Sequence, residues 1–175
     1  MADYSEPKAT ESEPRPIAER DGSGREKIVY APEEVLARYE AMLESVSFQH
    51  EIAELGCGLD SLFNRSRSLA EMKAMHAALW KLALERSFPD DAENFFRYFM
   101  EYSPTLGKGK NRAKMQQRIN IYVDLSASRK VADFTPIAQY MADTLAGNLK
   151  DQKTVRLKLS LAARRFYQSV FDQLI

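Results

Sequence analysis

Residues 151–174 read DQKTVRLKLSLAARRFYQSVFDQL, and the spacing of their apolar side chains decides the fold. Val155, Leu159, Ala162, Ala163, Phe166, Val170 and Leu174 recur at three and four residues, the period of one helix face, and no other segment repeats so cleanly. Working back, Thr135-Pro136 places a cap and a first-turn proline before Ile137, Tyr140, Met141, Thr144 and Leu145, with Gly147 as a stop. Met115, Ile119, Tyr122 and Val123 mark a helix after a loop Thr105 to Lys110. Ala92, Phe95, Phe96, Phe99 and Tyr102 form an aromatic stripe between Asp90-Asp91 and Ser103-Pro104. Ser68 with Glu71 reads as a capping box opening a helix through Met72, Met75, Leu79, Leu82 and Ala83, ended by Phe88-Pro89. A first helix is expected over about 32 to 55, open to interruption near Ser47, with Pro32, Glu33 and Glu34 suited to its start.

No segment sustains an alternation of period two, so a sheet has no support, and no fixed repeat is visible. The expected fold is all-α, an irregular bundle of about six helices behind a disordered N-terminal tail. Residues 1–30 are assigned to that acidic tail, because Ile17 is the only large aliphatic before Ile28. Residues 31–175 are assigned to a single helical domain, which suits a chain of 175 residues with 45% apolar content. One cysteine makes no internal disulfide, and no apolar run reaches the roughly 18 residues of a membrane span, so the expectation is a cytoplasmic protein without a membrane partner.

Charge is unevenly distributed although the totals cancel, at 25 Lys+Arg and 25 Asp+Glu. Residues 1–60 carry a net charge of −8 (14 acidic, 6 basic) and residues 106–175 carry +8 (13 basic, 5 acidic). A basic last segment can meet the acidic first third or an outside polyanion such as nucleic acid. The loop Gly107-Lys108-Gly109-Lys110-Asn111-Arg112-Ala113-Lys114 lacks the spacing of a nucleotide-binding P-loop. Its glycines free backbone N–H groups, its cations supply charge, and the following helix turns its positive end toward it. Lys108, Lys110, Arg112 and Lys114, with Lys153, Arg156 and Lys158 of the last helix, are therefore the candidate phosphate contacts. Phe95, Tyr98 and Tyr102 are the candidate anchors for a protein partner, because the third helix has more aromatic surface than one face buries.

Two short likenesses bear on these expectations. Glu54-Leu55-Gly56-Cys57-Gly58 resembles the first glycine-rich motif of class I S-adenosylmethionine methyltransferases, which implies a strand opening an α/β sheet. The residues before it continue a helical period and no βα pattern follows, so the segment is read as a helix terminus without a cofactor. Lys153 to Tyr167 resembles the end of the helical core-binding domain of tyrosine recombinases, with Thr135 to Leu145 as the penultimate helix. That resemblance implies DNA contact without strand cleavage, since the Arg/His/Tyr catalytic set is not among these residues. Cys57, His50 and His76 form no recognisable nucleophile signature, and two histidines with one cysteine leave no conventional zinc site. The expectation is a non-enzymatic binding module with no catalytic residues, metal or cofactor, engaging nucleic acid or serving as a protein adaptor, chaperone or regulatory subunit.

Overall fold

The computed structural model describes residues 17–20, 26–55, 62–127, 133–145 and 152–174. Their architecture is all-α, as the periodicity predicts. Seven α-helices run in chain order: α1 (Pro32–Ser45), α2 (Phe48–Glu54), α3 (Leu62–Ser87), α4 (Ala92–Tyr102), α5 (Gly109–Ala127), α6 (Thr135–Leu145) and α7 (Gln152–Leu174). A one-turn 3-10 helix, Pro104–Leu106, joins α4 to α5. The first expected helix divides where its apolar period breaks, as Val46 turns extended and Ser47 precedes a fresh start at Phe48.

One expectation is corrected. β1 (Ile17–Arg20) and β2 (Glu26–Val29) pair antiparallel, Ile17 opposite Val29 and Glu19 opposite Lys27. Strands of four residues are too short for alternation to register against a polar background, so only backbone pairing reveals them. The rest of the segment assigned to a disordered tail lies outside the described residues, as do Gly56, Cys57, Gly58, Gly147 and Asp151.

α3 is the central helix, and nearly every residue from Met72 to Trp80 is buried. Its centre is aromatic. Tyr39 of α1 stacks on Trp80 at 4.1 Å between ring centroids, and Phe99 of α4 meets both rings edge-on at 5.3 Å. Such edge-to-face pairs add about 0.5–1.5 kcal/mol each beyond the area they bury. α5 covers one flank of α3, and α7 with α6 covers another. Phe166 of α7 meets His76, and Val170 and Leu174 reach the groove beside Trp80, so α7 runs parallel to α3. α5 runs the other way: its start adjoins the end of α4, which packs near Trp80, and Arg118 and Tyr122 reach back to Glu71.

The capping-box reading of Ser68 and Glu71 is also corrected. Both lie inside α3, which starts six residues earlier, and both are buried. Glu71 accepts from Arg118 Nε at 2.8 Å and from the Tyr122 hydroxyl at 3.0 Å. The carboxylate thus joins two helices instead of capping one, a choice that depends on residues about 50 positions away.

Candidate nucleic-acid interface

The start of α5 is built by its connection to α4. Ser103 ends α4, and its hydroxyl donates to Glu40 of α1 at 2.8 Å while accepting from the Thr105 N–H at 3.2 Å, which sets the 3-10 turn. Gly107 then takes φ +79° with ψ −160°, and Gly109 takes φ +53° as α5 begins. Both lie at positive φ, and the Gly107 combination is one that side-chain-bearing residues essentially never adopt. Residues 109–114, expected within a loop, are therefore the first turns of the helix.

Within those turns the four basic residues separate. Arg112 reaches inward, donating to the carbonyls of Ser103 at 3.1 Å and Met100 at 3.4 Å, and Gln116 donates to Met100 at 2.7 Å. Helix carbonyls at a C-terminus have no partners within their own helix and carry partial negative charge, so an arginine suits them. Arg112 is accordingly a cap of α4. Lys108, Lys110 and Lys114 point to solvent, and among the described residues none of them has a hydrogen-bond or ion-pair partner. The apolar groove beside them, about 280 Å³ between α1, α3 and α5, is bordered by Glu40 and Glu44.

The cations of α7 have a different setting. Lys158 donates to the Glu54 carbonyl of α2 at 2.7 Å, and Arg156 pairs with Asp143 of α6 at 3.2 Å. Lys153 is exposed at the first turn. Lys158 precedes Phe166, the neighbour of His76, by roughly 12 Å along a helix rising 1.5 Å per residue. The start of α7 therefore lies toward the N-terminal end of α3, and the start of α5 toward its C-terminal half. The seven candidate phosphate contacts form two groups, not one surface.

Of the candidate partner anchors, Phe95 is corrected: it is 3% exposed and packs edge-on against Phe88, so it belongs to the core. Tyr98 is half-buried, and Tyr102 is 55% exposed with its ring 4.5 Å from that of Tyr98. Hydrogen bonding and charge from Glu101 raise the Tyr102 phenol pKa. Partial desolvation, then Glu33, raises that of Tyr98. Both rings stay neutral near pH 7.

The remaining chemistry-bearing side chains are enclosed. His76 is fully buried between Phe48 and Phe166, with Nδ1 at 3.1 Å from the Tyr39 hydroxyl. Its Nε2 finds no hydrogen-bond partner among the described residues. Burial lowers the imidazole pKa to about 4, so the ring is neutral near pH 7. His50 lies on the surface, 3.2 Å from Glu54. Among the described residues no group of three His, Cys, Asp or Glu comes together to hold a metal ion, and no helix is long and apolar enough to cross a membrane.

Sequence reasoning missed Leu157 and Leu161 of α7, which are 62% and 46% exposed. Their signal was present: the apolar face of α7 runs through Val155, Leu159, Ala162 and Phe166, and the helical period leaves both leucines outside it. Comparison with known protein families, characterised proteins and solved structures finds no match for this chain.

Proposed function

We propose that the protein is a non-enzymatic helical binding module that contacts nucleic-acid phosphates through the start of α5. One observation carries the reading: Lys108, Lys110 and Lys114 are exposed, with no side-chain partner among the described residues, at a helix N-terminus led in by two glycines at positive φ. Backbone N–H groups and lysine charge there favour the same ligand. Arg112 is spent on α4, and Arg156 and Lys158 bind neighbouring helices, so they are not counted among the contacts. The compartment that fits this reading is the cytoplasm.

Fluorescence anisotropy on single- and double-stranded DNA and RNA over a salt series tests it. Each phosphate neutralised on duplex DNA contributes about 0.9 to the slope of log affinity against log salt, so three lysines give a slope near 3, against roughly 6 for all seven cations. Replacing Lys108 and Lys110 by Ala lowers affinity for all sequences alike and flattens the slope, whereas Lys158→Ala leaves it unchanged. No binding at low ionic strength would overturn the reading.

The adaptor reading has its own support in Tyr102, the most exposed aromatic ring among the described side chains. Exposed tyrosines backed by a second ring are typical interface anchors. On this reading Tyr102→Ala loses a protein partner in pull-down while nucleic-acid affinity is untouched.

A further inference from the structure

The solvent face of α7 carries two exposed leucines among cations. At 100° per residue, Leu157, Leu161, Arg164 and Gln168 fall within a narrow outward stripe, with Lys153 at one edge and Lys158 and Arg165 at the other. Leu157 and Leu161 are the only large aliphatic side chains reaching such exposure among the described residues. No carboxylate occurs on α7 before Asp172. Among the described residues, the carboxylates paired with Arg165 come from α2: Glu51 holds it at 2.5 Å, and Glu54 lies 3.7 Å from the same guanidinium. α2 thereby fixes one cationic edge in place beside Leu161. Lys153 and Arg164 are exposed and have no ion-pair partner among the described residues.

From this juxtaposition we infer that the outer face of α7 docks an acidic amphipathic helix of a protein partner, whose apolar residues cover Leu157 and Leu161 and whose carboxylates meet Lys153 and Arg164. The inference goes beyond the phosphate reading and concerns the other end of α3. Two leucines at the centre of a cationic face set the class of partner. A phosphate backbone would bury them against charge and gain nothing from them. An apolar stripe flanked by Asp and Glu satisfies centre and edges together, the pairing of two amphipathic helices through i, i+4 anchors. The partner must also stand clear of Glu54, which is half-exposed beside the stripe and repels acid on that side.

The test uses the full chain, isotopically labelled, and three helical peptides. The first carries Leu at i, i+3 and i+4 positions flanked by Glu, the second replaces Glu by Lys, and the third replaces Leu by Ser. The expected result is amide shift changes confined to Lys153–Gln168 and the facing end of α2 with the Leu/Glu peptide alone. Leu157→Ser/Leu161→Ser weakens that binding at least tenfold, and Arg164→Glu does so independently; both sites are exposed, and unchanged circular dichroism confirms that the fold persists. Lys108→Ala/Lys110→Ala leaves peptide binding intact, which separates this inference from the phosphate reading. Equal shifts with the Ser/Glu peptide would overturn the inference in favour of a plain electrostatic surface. Leucine-dependent binding of phosphatidylserine vesicles or a DNA oligonucleotide in place of the Leu/Glu peptide would overturn it too, as would shifts located elsewhere.

Discussion

His76 shows how one buried residue couples stability to pH. Its ring is enclosed by Tyr39 of α1, Phe48 of α2 and Phe166 of α7, and among the described residues no carboxylate forms an ion pair with it. Burial lowers its pKa from 6.5 to about 4, so between those values the unfolded chain binds a proton that the folded one refuses. The stabilisation is complete above pH 6.5 and is lost as pH falls toward 4, amounting to about 3 kcal/mol at 1.36 kcal/mol per pKa unit. Urea unfolding of the native chain and of His76→Gln should diverge by that amount between pH 7 and pH 4, and the His76 imidazole resonances of the folded chain should stay nearly unshifted down to about pH 5. Glu71 makes a second case. Its carboxylate, 3% exposed, holds Arg118 and the Tyr122 phenol, whose pKa is raised by burial first and by the Glu71 charge next. Arg118→Ala would leave that carboxylate with one partner among the described residues; discounted for the one-third exposure of Arg118, the loss should be about 2 kcal/mol in chemical denaturation. The place of His76 between Met75 and Leu79 on a helix reads as a satisfied boundary histidine, whereas the ring is fully buried and its Nε2 has no partner among the described residues. That Glu71 would serve α5 was not legible either, because Ser68 and Glu71 satisfy a local capping pattern equally well.

At the scale of elements, α5 and α7 both carry basic residues, and what each does depends on what lies against it. Arg112 and Lys114 are two residues apart, yet one caps α4 and the other meets solvent. A planar guanidinium donates to two carbonyls from a fixed geometry, which a single ammonium does less well. Gly107 determines how α5 leaves the 3-10 turn. A Cβ there would have room, its nearest neighbour being Asn111 Cβ at 3.7 Å, so the obstacle is backbone conformation alone. Gly107→Ala should cost about 1–3 kcal/mol in thermal unfolding and, on the phosphate-binding proposal, lower nucleic-acid affinity by displacing Lys108. The glycines and lysines of this site were readable as a phosphate-binding composition, but whether they formed a loop or the first helical turns was not. The deciding contacts, Arg112 to α4 and Ser103 to Glu40, span helix boundaries.

For the whole molecule, the single Trp is the natural reporter. Trp80 is 1% exposed and joined through ring contacts to α1 and α4, while the same helix meets α7 through His76 and α5 through Glu71. Helices sharing one enclosed core lose it together, so Trp80 fluorescence and far-ultraviolet circular dichroism should give coincident urea transitions. A fluorescence midpoint below the dichroism midpoint would mean that α1 and α4 detach first. By itself the sequence determined the helical class, the positions of six helical segments, the weak point near Ser47 and the aromatic stripe of α4, because each depends on residues within a few turns of one another. Only the tertiary structure decided that Phe95 is enclosed, that Arg112, Arg156 and Lys158 bind within the molecule, that the basic residues divide between two ends of α3, and that Leu157 and Leu161 face solvent. Those outcomes depend on which helix lies opposite, and side-chain period states only that a face is apolar, never what comes to cover it.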